Sequence, residues 1–461
     1  MNLDRPSFSS LTHLLSTERL GTTVVAFDQQ TCITWQQFQS DVAYYADHLA
    51  QHSAQRIALC FGNSYLFAVS FFAACYANKS LILPGNYQPQ AVKELGQHFD
   101  LVLHDADISI STELDTLEVV QSSVSAPLIH NSVISMPLNI DAVCVTLFTS
   151  GSSGTAKAIV KKLRQLDDEI AILESLWGAE MVDTRIESTV SHLHIYGLLF
   201  RLLWPLCAGR PFAIHNLEFP EQVAQHASTD SVLISSPALL KRLTNHLSPA
   251  PYRRIVSSGG PLPETAAKHS LTLFGTLPLE VFGSTETGGI AFRQQHSPTS
   301  PWQLFPSVEA ELNSEHCLRL RAPHIAGDQW YQTADECQFH DKNTFDLKGR
   351  TDRVIKIEEK RVSLVEVEKR LEQLSWIEES ATIPMQEGHR LTICAVLVLT
   401  DEGRNEVQRI GKGPFWIALR KTLRDWLEPV AIPRKYRLVT EIPLNSQGKR
   451  QVNEIKTLFQ A

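Results

Sequence analysis

Residues Thr149-Ser-Gly-Ser-Ser-Gly-Thr-Ala-Lys157 bring hydroxyl side chains, glycines and a lysine together directly after the apolar run Ala142 to Phe148. Backbone N–H groups and hydroxyls in such a turn can face a polyphosphate, and the ammonium adds positive charge. A flexible linker would share the Ser/Gly composition. It would not follow a buried strand this closely or end on a basic residue. The turn is not a G-x-x-x-x-G-K-[ST] loop, because Lys157 is followed by Ala158 and is not preceded by glycine.

A turn of this kind needs strands to position it. Short apolar runs begin at Arg56, Ser80, Leu101, Ala142, Arg210, Ser231, Arg254 and Leu279, and amphipathic stretches such as Trp35 to Gln51 and Pro220 to Ala227 lie between them. That alternation predicts an α/β fold with much of its sheet parallel. Several runs end directly in Gly, Ser or Thr, at the strand ends where open α/β sheets gather ligands. The pattern changes near Asp346. Asp346 to Val362 reads as a charged turn flanked by short strands. Ser363 to Leu374 reads as a helix with Glu366, Glu368 and Lys369 outward and Leu364, Val365 and Val367 inward. A strand from Leu391 and a charged helix over Phe415 to Leu427 follow. This region is long enough to form a separate domain with its own small core.

The 461 residues suggest two to four folding units. Apolar residues make up 43% and charged residues 20%, the balance of a globular chain rather than a disordered or collagenous one. Lys plus Arg is 42 against 50 Asp plus Glu, a formal charge of −8 that gives no global attraction to nucleic acid or an anionic membrane. The eight cysteines are scattered without a C-x-x-C pair, which argues against a zinc site or a disulfide framework. The most apolar stretch, Tyr65 to Ala77, is too short to cross a bilayer. A cytoplasmic protein with no membrane span is expected.

Six further segments, in order, make the chain resemble the adenylate-forming enzymes: acyl- and aryl-CoA synthetases, luciferases and peptide-synthetase adenylation domains. Thr149 to Lys157 resembles their phosphate-binding signature. His194-Ile-Tyr-Gly197 resembles the H-x-x-G segment, and Ser258-Gly-Gly-Pro-Leu262 the adenine-side loop. Phe282-Gly-Ser-Thr-Glu286 resembles Y-G-x-T-E, and Trp330-Tyr-Gln-Thr-Ala-Asp335 resembles W-Y-x-T-G-D. Gly349-Arg-Thr-Asp352 with Ile355-Lys356 matches the hinge motif, and Pro443 to Lys449 the C-terminal lysine motif. The resemblance implies a large N-terminal multi-sheet α/β domain over residues 1–351 and a small, mobile α+β C-terminal lid over residues 352–461.

It also implies roles. Thr149, Ser150, Gly151, Ser152, Ser153, Gly154, Thr155 and Lys157 would hold the β- and γ-phosphates of ATP, and Ser258, Gly259, Gly260, Phe282 and Gly283 would line the nucleotide. Thr285 would donate to the α-phosphate, and Glu286 would be a ligand of Mg²⁺. Asp335 and Arg350 would hold the ribose. Lys449 would neutralise charge as a carboxylate attacks the α-phosphorus. His194 would lie near the substrate carboxyl, with Tyr196, Gly288 and Gly289 at the acyl pocket. Asp352 would be the pivot that swaps Lys449 for the face around Val354 to Val362 before a thiol attacks.

The segment His192-Leu-His-Ile-Tyr-Gly197 has no carboxylate to pair a substrate ammonium, so an acid without an α-amino group, aliphatic or aromatic, is expected. Relatives place glycine where Glu359 stands, which leaves the thiol acceptor open between CoA and an acyl carrier protein. A non-catalytic nucleotide-binding protein of the same fold is the alternative, although Glu286 and Lys449 are both retained.

Overall fold

A computed structural model of the chain describes residues 7–460 apart from Asn86, Thr112, Asp328, and residues 122–132, 151–155, 245–250, 351–352, 358–359, 388–389, 425, 428 and 446–449. Two compact units divide it. One comprises Met1–Glu309 with Arg321–Gln329, the other Ala310–Leu320 with Trp330–Ala461.

The first unit is α/β, as expected. One sheet runs in the order Thr116–Glu118, Leu101–His104, Arg56–Cys60, Ser80–Leu83, Cys144–Ser150, Ala156–Lys162. Its pairs are parallel until the last, where Cys144–Ser150 and Ala156–Lys162 form an antiparallel hairpin. The strands of a second sheet run Trp302–Leu304, Gly288–Arg293, Leu279–Ser284, Arg254–Ser257, Ser231–Ser235, Arg185–Ser188, Phe212–Ala213, Val24–Phe27, Cys32–Thr34. Its interior is parallel, and antiparallel pairs close both ends.

Local chemistry sets the helices that cover these sheets. The helix Trp35–Gln51 starts where the Thr34 hydroxyl accepts from the Gln37 N–H, and it buries Trp35, Phe38, Val42, Tyr45, Ala46 and Leu49 along one stripe. The apolar stretch from Tyr65 forms the helix Ser64–Tyr76, capped by the Asn63 side chain. It packs on both Trp35–Gln51 and the strands Arg56–Cys60 and Ser80–Leu83, so it is buried on nearly every side and shows no polar face. Among the described residues no helix is long and apolar enough to cross a membrane.

In the second unit, residues 317–320, Tyr331–Phe339 and Thr344–Arg350 pair antiparallel. A second sheet joins Ile377–Glu387 antiparallel to Arg390–Leu399, with Lys435–Leu438 added in parallel. Alternation along Arg390–Leu399 feeds two cores. Ile393, Ala395, Leu397 and Leu399 meet Leu371, Phe415, Leu419 and Leu423, while Cys394, Val396 and Val398 meet Ile442, Ile455 and Phe459.

The helix Leu364–Glu372 corrects one expectation. Glu368 does not face solvent; it is buried. Its carboxylate takes Arg353 through two hydrogen bonds of 2.8 and 2.6 Å, meets Arg450 at 2.8 Å, and accepts the Thr382 N–H at 2.6 Å. A buried carboxylate persists only when paired in this way.

Candidate active site

The strands on either side of the Ser/Gly-rich segment, Cys144–Ser150 and Ala156–Lys162, pair antiparallel. Thr149 lies opposite Lys157 and Ser150 opposite Ala156, so the lysine stands on the returning strand. The Thr149 hydroxyl reaches toward the Lys157 carbonyl at 3.5 Å. Gly151, Ser152, Ser153, Gly154 and Thr155, at the turn itself, lie outside the described residues.

A second hairpin presents the acid. Leu279–Ser284 returns as Gly288–Arg293, with Gly283 opposite Gly289 and Ser284 opposite Gly288. Thr285, Glu286 and Thr287 form the turn. Reciprocal bonds between Ser284 N–H and the Thr287 hydroxyl (3.0 Å) and between Thr287 N–H and the Ser284 hydroxyl (3.1 Å) close it. A Cβ on Gly283 would overlap the Gly288 carbonyl, so only glycine lets the strands meet this closely.

The two strand pairs come from different sheets and meet through the side chains of Lys157 and Glu286. Lys157 Nζ lies 2.7 Å from Glu286 Oε1. Burial alone would raise the Glu286 pKa; the Lys157 hydrogen bond and charge outweigh it and hold the carboxyl below its usual range. The pair is too exposed to add much stability. Its consequence is chemical. An ammonium that can meet phosphate and an ionised hard-oxygen ligand that can meet a divalent cation stand together beside the hydroxyl-rich turn. Among the described residues no group of three or more His, Cys, Asp or Glu could hold a metal. The ionised Glu286 carboxylate is one hard oxygen donor of the kind that suits Mg²⁺.

His194 caps the short helix Ile195–Gly197 and lies against Gly85, which also abuts the Phe148 carbonyl at the end of the strand leading to Thr149. This places His194 near the start of the turn. Its neighbour His192 is the core histidine: it is fully enclosed between the Ser64 hydroxyl (2.9 Å) and the Phe61 carbonyl (3.0 Å), and burial drives its pKa well down. The Tyr196 hydroxyl sits between the Ser235 and Val256 carbonyls at 3.1 and 2.9 Å, at the ends of two parallel strands. A Cβ on Gly197 would overlap the Ser191 carbonyl. Gly197→Ala is accordingly expected to lower stability by about 1–3 kcal/mol, measured by urea unfolding; an unchanged midpoint would contradict the close packing.

The remaining expected residues fall in several places. Ser258 follows the strand Arg254–Ser257 and donates to the Val281 carbonyl at 2.8 Å, next to Gly259 and Gly260, both exposed. The Phe282 ring packs on Trp302, with centroids 5.4 Å apart. Gly288 packs against Glu169, and Gly289 against Phe305 and Glu169. Asp335 and Arg350 belong to the second unit, where they are strand partners bridged at 3.2 Å. Asp352, Glu359 and Lys449 lie outside the described residues.

Three residues behind the second hairpin escaped the sequence reading. Lys161, Glu169 and His324 are buried and bind the backbone of residues 286–289. One signal was available for Glu169. It falls on the same stripe as Leu163, Leu166, Ile170, Leu173 and Trp177 of the helix Leu163–Trp177. His324 lies beyond the hairpin in sequence and carries no local cue.

Two sheets of an α/β scaffold thus bring Lys157, next to the Ser/Gly-rich segment, and Glu286 together. The chain belongs to the AMP-binding enzyme family, whose model matches residues 16–319. It is similar to a 4-coumarate–CoA ligase of Halorhodospira halophila, with 28% identity over 319 residues, 67% of this chain and 75% of that protein. Among solved structures, ATP-bound MatB from Rhodopseudomonas palustris matches with a TM-score of 0.79 and 17% identity over 100% of this chain and 99% of that one. The amide bond synthetase McbA from Marinactinospora thermotolerans matches with a TM-score of 0.77 and 17% identity over 97% and 99% of the two chains. Both likenesses establish the fold.

Proposed function

We propose that the chain is an AMP-forming acid–thiol ligase. A carboxylate oxygen bonds to the α-phosphorus of ATP, the bond to the bridging oxygen of the β-phosphate breaks, and pyrophosphate leaves. A pantetheine sulfur then bonds to the carbonyl carbon of the acyl-adenylate and AMP departs. The observation that carries this reading is the Lys157–Glu286 contact between the two hairpin tips, in a chain of the AMP-binding family.

The first half brings an anion toward a polyanion, so neutralising charge is the main demand. Residues Thr149 to Thr155 and Lys157 hold the β- and γ-phosphates, and Thr285 donates to the α-phosphate. Glu286 would be the protein ligand for Mg²⁺, and Lys157 would bring its charge to phosphate. When bound, the cation supplies charge neutralisation on the phosphate oxygens. Asp335 and Arg350 hold the ribose, and Ser258, Gly259, Gly260 and Phe282 the base. Lys449 brings a mobile point charge to the oxygens where negative charge builds. For the second half, residues 352–461 turn as a lid about Asp352. A lid boundary at 352 need not coincide with the boundary of a compact unit, because rotation follows a few backbone torsions and not the packing of strands.

The acid lacks an α-amino group. The missing carboxylate in residues 192–197 supports this, as do relatives named for 4-coumarate. CoA is the acceptor in those names. A carrier-borne phosphopantetheine presents the same thiol, and the exposed Arg434 and Lys435 suit an acidic carrier surface. Pyrophosphate release with ATP across a panel of aliphatic, aromatic and amino acids tests the activity. Release only with acids that lack an α-amino group is expected, and no acid-dependent release at all would contradict it. Transfer of labelled acyl groups to CoA or to a phosphopantetheinylated carrier separates the acceptors.

A further inference from the structure

We infer that Lys161, Glu169 and His324 are positioning residues for Glu286: a buried, charge-bearing support that fixes the hairpin tip on which the metal-binding carboxylate stands. This rests on the reading of Glu286 given above. The three side chains come from separate segments, the returning strand Ala156–Lys162, the helix Leu163–Trp177 and the segment after Cys317–Arg321. All converge on four consecutive residues. Lys161 Nζ donates to the Glu286 carbonyl at 3.0 Å and to the His324 carbonyl at 3.3 Å. Glu169 Oε1 accepts the Gly289 N–H at 2.6 Å. His324 Nε2 lies 2.9 Å from the Gly289 carbonyl and donates to it. Gln165 braces the same His324 carbonyl at 3.3 Å.

The hairpin's own chemistry explains why such a support is needed. The Ser284–Thr287 bonds close its three-residue turn, but they stop short of Gly288 and Gly289, where φ +69° at Gly288 and the absence of a Cβ leave the backbone without side-chain restraint of its own. A Cβ at Gly288 would overlap Glu169 Oε2, and one at Gly289 would come within 2.9 Å of the Phe305 ring. The glycines thus admit the support, and the support replaces the rigidity they forfeit. Neutral apolar packing could fill the same volume but could not hold a carbonyl and an amide in fixed directions. Hydrogen bonds in which one partner is ionised do so more strongly. Burial lowers the Lys161 pKa, an effect opposed by the Glu169 and Glu286 charges, and raises that of Glu169 to about 7.

The test measures calorimetric binding of ATP with and without Mg²⁺, binding of AMP, and the free Mg²⁺ needed for half-maximal ATP–pyrophosphate exchange. Lys161→Met is expected to raise that Mg²⁺ requirement about 10-fold and to erase most of the gain in ATP affinity that Mg²⁺ gives, with AMP affinity held within about 2-fold, the scale on which groups behind a metal ligand act. Glu169→Gln, which keeps a carbonyl for the Gly289 N–H, should retain most of the Mg²⁺ response, and Glu169→Leu should lose it. That pair decides the matter even if Lys161→Met does not fold. Equal losses of AMP and Mg²⁺-dependent ATP binding would overturn the inference in favour of general destabilisation, as would an unaltered Mg²⁺ requirement in folded Lys161→Met and Glu169→Leu. Glu286→Gln separates the two levels. If it leaves the Mg²⁺ requirement unchanged, the role of Glu286 itself fails; if it raises the requirement while the support variants do not, only the support fails.

Discussion

Lys449→Ala is expected to lower acid-dependent ATP–pyrophosphate exchange by roughly 10²–10³-fold, the scale on which removal of one charge-stabilising donor acts. Transfer of the acyl group from supplied adenylate to a thiol should keep most of its rate. The asymmetry follows from where charge accumulates. Attack of a carboxylate on the α-phosphorus builds negative charge at several oxygens, and a flexible ammonium can follow it. In the proposed scheme, a thiol attacks the adenylate carbonyl only after the lid has turned and the lysine has left. Exchange and thiol transfer measured separately on the same variant decide this. Equal loss in both would contradict a two-conformation scheme.

Glu368→Leu is expected to destabilise the second unit by about 3 kcal/mol. The change leaves Arg353 and Arg450 facing an apolar side chain. The figure sits at the low end for a broken buried pair because both arginine side chains are 30% exposed and regain some water. Burial by itself would raise the Glu368 pKa, but the Arg353 hydrogen bonds, the charges of Arg450 and Arg353 and the Thr382 N–H outweigh it and lower the folded value. The sign for pH follows. With the folded pKa depressed, the contribution is fully present above the ordinary glutamate value of about 4.3 and is lost as pH falls through the lower folded value. Urea unfolding across that acidic range should show a stability difference between wild type and Glu368→Leu that shrinks as pH falls. A constant difference would contradict an ionised Glu368. Arg353 follows the proposed pivot Asp352, and Arg450 follows Lys449. The same carboxylate thus ties down the neighbours of both functional residues.

The sequence anticipated the fold class because strand-length apolar runs and a helix such as Trp35–Gln51 are local patterns; that helix has the bounds read from its periodicity. The Thr149 to Lys157 segment stood out by its hydroxyls, glycines and lysine after an apolar strand, and the Thr285-Glu286 pair only through its resemblance to the Y-G-x-T-E motif. What the sequence did not convey is the meeting of distant parts. That Ala156–Lys162 returns as an antiparallel strand, and that Lys157 reaches Glu286 across 129 positions, depends on how two sheets pack. Glu368 was placed outward because a glutamate on a helix is normally solvated. Only the arrival of Arg353 and Arg450 from elsewhere in the chain reverses that preference. Lys161 and His324 share the same history: each is an ordinary polar residue until a backbone carbonyl or amide far away in sequence needs it.

In the proposed function, the strand pairs that carry Lys157 and Glu286 together receive the nucleotide's phosphates. A crystal structure of the protein with ATP and Mg²⁺ tests it most directly. The triphosphate should lie along residues 149–157, with Lys157 turned from Glu286 to phosphate and Glu286 on the cation. A triphosphate bound elsewhere, with the Lys157–Glu286 contact unbroken, would contradict it.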